Sequence, residues 1–395
     1  MSAYYFLRLA VLVIALAPFG YYLLAIFCGW DYFCRARAKK PRVSSYAPPA
    51  SILKPVRGLD RDSYANFASF CDLDYPEYEI LFAVEDVNDP AIAVIEELQR
   101  NYPERTIRLL TDVPQPGANH KVNNLCKLVQ EARNELLVMS DSDVRVLRDY
   151  LHDVAAPFGD PEVGAVTSFF RGLPGGSLAA DLEALVLATE TMPNALVARK
   201  IEGKMQFVFG WTMATTKVHL AAIGGFEAMM DFHSDDFELG NRLAARGHRI
   251  ELSNKPVQMV YARDSMRDFF RHELRWAVGL RNVRPVGYNG LLFTFGLPWA
   301  VLAAIVASSW TIAGVYLASY LVLRLALVWV LGIWGLNDPV SRKSWWLVPL
   351  RDLLNFGVWI AGFFTNKITW RGLRYRVKKK LLEPLKPNVS SVGVR

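Results

Sequence analysis

Two stretches of this chain go without charge for longer than any soluble element needs. Residues 9–30 contain no Asp, Glu, Lys or Arg, and residues 285–337 contain one, Arg324. A helix crosses a bilayer with about 20 apolar residues. The first stretch therefore predicts one span and the second predicts two. A third apolar stretch, residues 347–364, is interrupted by Arg351 and Asp352. Charge inside a bilayer is costly, so this stretch reads as re-entrant or interfacial. Between the membrane regions lie roughly 250 residues, enough for one α/β core. With 52% hydrophobic and 21% charged residues, a disordered chain is excluded.

The net charge of +7 is carried next to the apolar stretches. Arg35, Arg37, Lys39, Lys40 and Arg42 follow the first one, and the segment 367–395 is basic with a single acid, Glu383. Such clusters mark the cytoplasmic side and touch anionic lipid. They place the central region in the cytoplasm and argue against nucleic acid as the partner. The N-terminus has no basic n-region and no small-residue cleavage site, so residues 9–30 read as a retained anchor. Cys28, Cys34, Cys71 and Cys126 form no CxxC pair, which suits a reducing compartment without disulfides.

The central region alternates strand and helix patterns. Strands are predicted at 51–55, 79–84, 106–110 and 136–139, with helices at 60–71, 91–101 and 121–132. That alternation predicts a parallel sheet, whose ligands sit beyond the carboxyl ends of the strands. The second half is less regular: a helix at 181–199 with a possible break at Pro193, a strand at 207–214, a turn at Gly224-Gly225, and helices at 235–246 and 264–278.

Acidic motifs fall at the predicted strand ends. Asp141 and Asp143 follow the buried strand at 136–139, and in extended backbone residues i and i+2 face the same way. A pair of this kind suits a divalent cation on a diphosphate, or else forms a turn. In Glu85-Asp86-Val87-Asn88-Asp89-Pro90, Asp89 reads as a helix cap and Asp86 as a candidate nucleobase or ribose ligand. Lys121 opens a helix, opposing its dipole, which makes sense if the lysine meets a phosphate. Of Asp235 and Asp236, one caps a helix and the other is free to act as a general base. His272 and Arg275 share a face of the 264–278 helix. There Arg275 can clamp a diphosphate, and Trp276 can stack on a ring or anchor at the interface. His272, Trp276 and Phe269-Phe270 are candidate gate residues for a lipid.

Taken together, these pieces resemble the processive-like family 2 glycosyltransferases, and most closely the ceramide glucosyltransferase family. The resemblance runs through nearly the whole chain: Ser51-Ile-Leu-Lys-Pro55, Asp89-Pro-Ala91, Lys121-Val-Asn-Asn-Leu125, Asp141-Ser142 with Val144-Arg145-Val146, Gly224-Gly225, Asp235-Asp236, Arg275-Trp276 and Ile368-Thr-Trp-Arg-Gly-Leu-Arg-Tyr-Arg376. It implies a D, D, D, (Q/R)xxRW signature and a GT-A fold, a Rossmann-like α/β domain with a mostly parallel sheet, flanked by N- and C-terminal transmembrane helices. The implied parts are an anchor at 1–32, a cytoplasmic catalytic domain at 46–262, an interfacial helix at 263–284, a membrane region at 285–366 and a basic tail at 367–395.

The same resemblance implies residue roles. Asp86 would hold uridine, with Lys54, Lys121, Asp141, Asp235, Arg275 and Trp276 around the nucleotide sugar. Asp141 and Asp143 would hold Mg2+ or Mn2+, and Asp236 would be the base. The implied reaction is inverting transfer from a UDP-sugar, most simply UDP-glucose, to the primary hydroxyl of a membrane lipid such as ceramide. The implied location is the inner membrane of a bacterium. One position departs from the signature: His272 stands where it has Gln or Arg. Hopanoid-modifying N-acetylglucosaminyltransferases look similar across the same motifs, so sugar and lipid stay open. A processive polysaccharide synthase and a non-enzymatic membrane protein are the remaining alternatives.

Overall fold

A computed structural model describes residues 3–38, 46–261 and 265–385. Lys39, Lys40 and Arg42 of the basic patch, Asp264 and residues 386–395 of the tail lie outside the described residues.

The central region builds one sheet of eight strands: β1 (Ala50–Val56), β2 (Tyr78–Val84), β3 (Thr106–Leu110), β4 (Leu136–Met139), β5 (Val144–Arg145), β6 (Val163–Leu173), β7 (Met213–Thr216) and β8 (Arg249–Val260). Their order across the sheet is β3-β2-β1-β4-β7-β6-β8-β5. β3, β2, β1 and β4 run parallel, as do β6 and β8, while β7 is antiparallel to both neighbours and β5 is antiparallel to β8. The sheet is therefore mostly parallel in its first half and mixed in its second. β1 and β4 are buried at every residue, as strands covered on both faces must be.

The first four strands lie within a residue or two of their predicted bounds, because short apolar runs between turn residues carry a local signal. The second half differs more. The strand expected at 207–214 begins only at Met213, and residues 207–210 form a loop instead. The helix expected at 181–199 is three pieces, Leu178–Ala184, a π-turn at Leu187–Thr191, and Met192–Glu202. β6 and β8 were not expected at all.

The N-terminal stretch forms helices Ala3–Ile14 and Ala17–Ala38, which make one long apolar helical run, Tyr4–Ala38. A second helix long and apolar enough to cross a membrane is Trp310–Gly335. Between them, Pro285–Thr294 and Gly296–Val306 meet at a 49° bend. The 347–364 stretch folds as the helix Val348–Phe363. Its charges face inward. Arg324 donates twice to Asp352 Oδ2 and Oδ1, at 2.8 and 3.1 Å through Nε, and Tyr320 donates to the same carboxylate at 2.9 Å. Arg351 is fully buried between Glu190 and Glu273. Arg324 and Asp352 thus neutralise each other across helices, and Arg351 is neutralised by Glu190 and Glu273.

The segment read as a basic tail is structured. β9 (Lys367–Trp370), β10 (Leu373–Lys378) and β11 (Leu381–Pro384) form a three-stranded antiparallel sheet. Ile368, Tyr375, Val377 and Leu382 bury together against Val278 of the helix Met266–Val283. Main-chain bonds His233 N–Lys380 O (2.9 Å) and Leu382 N–Asp231 O (2.8 Å) fasten it to the α/β domain. Basic and apolar residues alternate along β10, so the outward face of this small sheet is charged.

Candidate active site

β4 ends at Met139, and the chain turns through Asp141-Ser142-Asp143 at its carboxyl end. Lys54, in the neighbouring β1, is fully buried and donates to the Asp141 carbonyl at 2.7 Å. Its ammonium lies over the Phe70 ring at 4.0 Å. Burial pushes its pKa down to about 7 against the pull of Asp141, Asp143 and Asp60. Lys54 therefore supports the acidic turn from beneath and does not line the cavity.

Lys121 stands in the first turn of His120–Glu131, whose Asn119 cap accepts from Val122 N. Its Nζ bridges Asp141 Oδ1 (2.8 Å) and Asp235 Oδ2 (3.2 Å). Burial lowers its pKa, but Asp141, Asp235 and Asp236 outweigh burial and hold it above the ordinary lysine value. Asp236 accepts from Gly210 N (3.1 Å) and Phe237 N (2.7 Å). Burial, then Asp235, pushes its carboxyl up to about 6, although Lys121 opposes them. Neither aspartate caps its helix as expected: Asp235–Ala245 begins at Asp235, and the Ser234 side chain makes no cap bond. Their carboxylates are committed to the cluster instead.

These groups open into one cavity of about 810 Å³. Asp141, Asp143, Lys121, Asp235, Asp236, His272, Arg275 and Trp276 line it. Tyr21, Tyr22, Phe295 and Val358 of the apolar segments line the same cavity. A family model described as Glycosyl transferase family 21 matches residues 10–382.

The chain belongs to glycosyltransferase family 21.

Among curated relatives, ceramide glucosyltransferase 1 of Caenorhabditis elegans is 24% identical over 342 residues, 84% of this chain and 72% of that protein. Ceramide glucosyltransferase 3 of the same organism is 27% identical over 242 residues, 60% of this chain; the chain spans about half (51%) of that relative's length. Among solved structures, the mannosyltransferase PcManGT of Pyrobaculum calidifontis, in complex with GDP-Man and Mn2+, superposes with a TM-score of 0.56 at 19% identity, covering 89% of this chain and 99% of that one. That likeness establishes the GT-A-like fold of this family 21 member.

Three expected site residues of the family 21 chain stand apart from the cavity: Lys54 beneath the acidic turn, Asp86 and Phe269. Asp86 is exposed, folds back onto Asn88 N at 2.8 Å, and is absent from the cavity lining, whereas Glu85 beside it lines the cavity. Glu85 meets His120 at 2.8 Å and Arg57 at 3.1 Å. Phe269 is fully buried against Phe270 and under Arg351, so it cannot serve as a gate at the cavity surface. Asp89 accepts from Ala91 N at 2.9 Å, as a cap would, and also from Gly58 N.

Two residues that sequence reasoning passed over are at the centre. Arg371, at the tip of the β9–β10 hairpin, donates to both oxygens of Asp60 (2.7 and 2.9 Å) and to Ser142 Oγ (3.2 Å). It lies within the Ile368–Arg376 motif that carried the resemblance, but no role was attached to it. Arg275 packs over Trp370 of the same hairpin at 5.6 Å. Gly210 is the second. A methyl group placed on it would lie 3.1 Å from Asp141 Oδ2, 3.2 Å from Lys121 Nζ and 3.6 Å from Asp236 Oδ2. Only a residue without a side chain leaves that convergence point open.

Asp143 tests whether the site suits a cation. Its Oδ1 is buried without a hydrogen-bond partner, and burial, then Asp60 and Asp141, pushes its carboxyl up to about 7. A hard divalent ion relieves such crowding. Two carboxylates complete its shell when substrate phosphates and water supply the other oxygens. Among the described residues no group of three or more His, Cys, Asp and Glu side chains could hold a metal ion.

Proposed function

We propose that this chain is a membrane-bound inverting glycosyltransferase that moves glucose from UDP-glucose to the primary hydroxyl of ceramide, giving a β-glycolipid. The observation that carries the reading is the single cavity that joins the Asp141–Asp143 turn to the membrane helices. A water-soluble donor and a lipid acceptor can meet there without the lipid tails leaving the bilayer.

Asp236 is the base. With a pKa near 6 it is mostly ionised at pH 7, close enough to neutrality to take a proton efficiently. The Gly210 and Phe237 amides fix its two oxygens, so the carboxylate is preoriented. The acceptor oxygen, once its proton is lost to Asp236, attacks the anomeric carbon in line, which inverts an α-linked donor. Lys121, Arg371 and Arg275 surround the place where negative charge grows on the leaving diphosphate. Asp235 holds Lys121 in place. Glu85, with Arg57 and His120, supplies the polar wall for the nucleoside, a part expected of Asp86. Asp141 and Asp143 would hold a Mg2+ or Mn2+ ion, which when bound would neutralise charge on the diphosphate.

In this reading the α/β domain faces the cytoplasm from the inner membrane of a bacterium, with Arg35 and Arg37 closing the first helix on that side. Exposed Cys34 tests it: an impermeant maleimide should label it only after permeabilisation. Reconstituted protein, radiolabelled UDP-glucose and ceramide vesicles test the reaction. Label should partition into organic solvent. Label that stays in an aqueous polymer would favour a polysaccharide synthase, and absence of UDP binding in a thermal-shift assay would refute the transferase reading.

A further inference from the structure

We infer that a basic pocket beside the end of the Trp310–Gly335 helix binds the phosphate of an anionic phospholipid and, through it, ties the α/β domain to the bilayer surface. The inference rests on the two long apolar helices and stands apart from the transferase reading.

The pocket has a volume of about 400 Å³ and is lined by Arg171, Leu173, Asn337, Pro339, Arg342 and Lys343. None of these residues lines the cavity of the candidate active site. Half of the lining is cationic and none of it is acidic. Arg171 lies near the carboxyl end of β6, and its guanidinium makes no hydrogen bond or ion pair with a described residue. Arg342 and Lys343 are exposed on the short helix Pro339–Ser344. Arg342 Nη2 donates to Asn337 Oδ1, a neutral partner, at 2.5 Å. Lys343 reaches Asp181 Oδ2 only at 3.8 Å. The neighbouring carboxylates are turned to other groups: Asp338, near Arg171, accepts from Ser341 N at 2.7 Å, and Asp181 accepts from Ser344 Oγ at 2.8 Å. Three positive charges therefore meet on one concave surface with no carboxylate in its wall. They suit a phosphate, because arginine presents a planar fork to its oxygens and lysine adds a point charge.

The surroundings point to a lipid as the source of that phosphate. Asn337 follows the end of the apolar helix by two residues. At the same helix end Trp334 stacks on Trp30 of the N-terminal run, with ring centroids 4.6 Å apart. Arg37 lies 3.9 Å over the Trp334 ring and donates to its carbonyl at 2.7 Å. Trp345 and Trp346, just past Lys343, are exposed. Tryptophan and arginine gathered at helix ends mark the headgroup level of a bilayer, where basic pockets bind anionic lipid. Leu173 and Pro339 give the pocket an apolar wall, along which glycerol and the first chain carbons would leave it. A phosphate bound there would bridge Arg171 of the sheet to Arg342 and Lys343 of the helix that follows the span. The two elements already abut: a methyl group on Gly172 of β6 would lie 3.6 Å from Val340, and Asp338 N donates to Gly332 O at 2.9 Å. The lipid would thus set the height of the α/β domain over the membrane.

The test follows the thermal unfolding midpoint of the full chain in detergent as phosphatidylglycerol, phosphatidylcholine or inorganic phosphate is added. Phosphatidylglycerol should raise the midpoint saturably, and phosphatidylcholine should not. The triple variant Arg171→Gln/Arg342→Gln/Lys343→Gln should weaken the phosphatidylglycerol response about 100-fold, since each cation at a membrane surface is worth about fivefold. Arg342→Glu alone, at an exposed position, should weaken it about tenfold or more and covers the case in which the triple variant does not fold. Arg374→Gln/Arg376→Gln, on exposed positions of β10, should leave the response intact. Equal stabilisation by phosphatidylcholine would overturn the inference. So would an equal loss in the Arg374→Gln/Arg376→Gln variant, because the effect would then be one of diffuse charge. Inorganic phosphate that matches phosphatidylglycerol at equal concentration would overturn the lipid assignment and make the ligand a soluble anion.

Discussion

Asp236→Asn separates chemistry from structure in a single change. In the folded protein the carboxyl is pushed from the usual 3.8 to about 6, by burial first and by Asp235 next. The folded chain therefore holds the Asp236 proton more tightly than the unfolded chain does. Between pH 3.8 and about 6 the unfolded state has lost that proton while the folded state keeps it, so stability falls as pH rises through this window. Above pH 6 the ionised carboxylate is a standing cost. At about 1.36 kcal/mol per tenfold in proton affinity, the interval corresponds to about 3 kcal/mol. An uncharged, isosteric asparagine removes that charge cost but turns its NH2 toward one of the two backbone amides that the carboxylate accepts from, so the variant should lack the wild-type loss of stability between pH 4 and 6. Its activity should fall. Loss of a general base costs about 10²–10⁴ in rate, or about 2.7–5.4 kcal/mol in the barrier. Wild-type kcat should itself rise with pH through about 6 as the base ionises. Thermal unfolding in detergent and glycolipid formation in vesicles read the two effects on the same preparations. A variant within about tenfold of wild-type turnover, or one that keeps the wild-type loss of stability between pH 4 and 6, would refute the argument that Asp236 is a base held ionised at a cost.

Arg371→Ala should weaken UDP binding about 10- to 100-fold, because a cation proposed to face the diphosphate is lost and Asp60, its two-pronged partner, is left as an unpaired negative charge beside the site; Arg371→Lys should restore only part of it, since an ammonium cannot form the fork, as UDP titration by thermal shift would show. Gly210→Val should lower donor kcat/KM by about 10² through displacement of Asp141, Lys121 and Asp236, with the far-UV circular dichroism unchanged. Arg324→Leu should destabilise by about 3–5 kcal/mol by leaving Asp352 buried and unpaired, and the double variant Arg324→Leu/Asp352→Leu should recover most of it, as unfolding midpoints in detergent would reveal.

Sequence patterning alone settled the elements whose causes are local. An uncharged run long enough for a bilayer, apolar strands of four to seven residues, and turn residues between them gave β1 to β4 and the N-terminal membrane helix, because each signal is contained within its own segment. The placement of Asp141 and Asp143 followed from β4, since a carboxyl strand end is where an α/β sheet binds ligands. What tertiary structure alone decided depends on contacts between distant segments. Arg371 reaches Asp60 across 311 positions of sequence, and no periodicity in a basic segment marks which of its arginines will do so. Glu85 rather than Asp86 lines the cavity because both lie past the end of β2, where Asp86 folds back onto Asn88 N while Arg57, past the end of neighbouring β1, and His120, at the start of a distant helix, hold Glu85. Arg324, Arg351 and Asp352 read as obstacles to a membrane helix until Glu190, Glu273 and each other are found opposite them. A charge in sequence has a sign but no partner; the fold supplies the partner, and with it the difference between a penalty and a site.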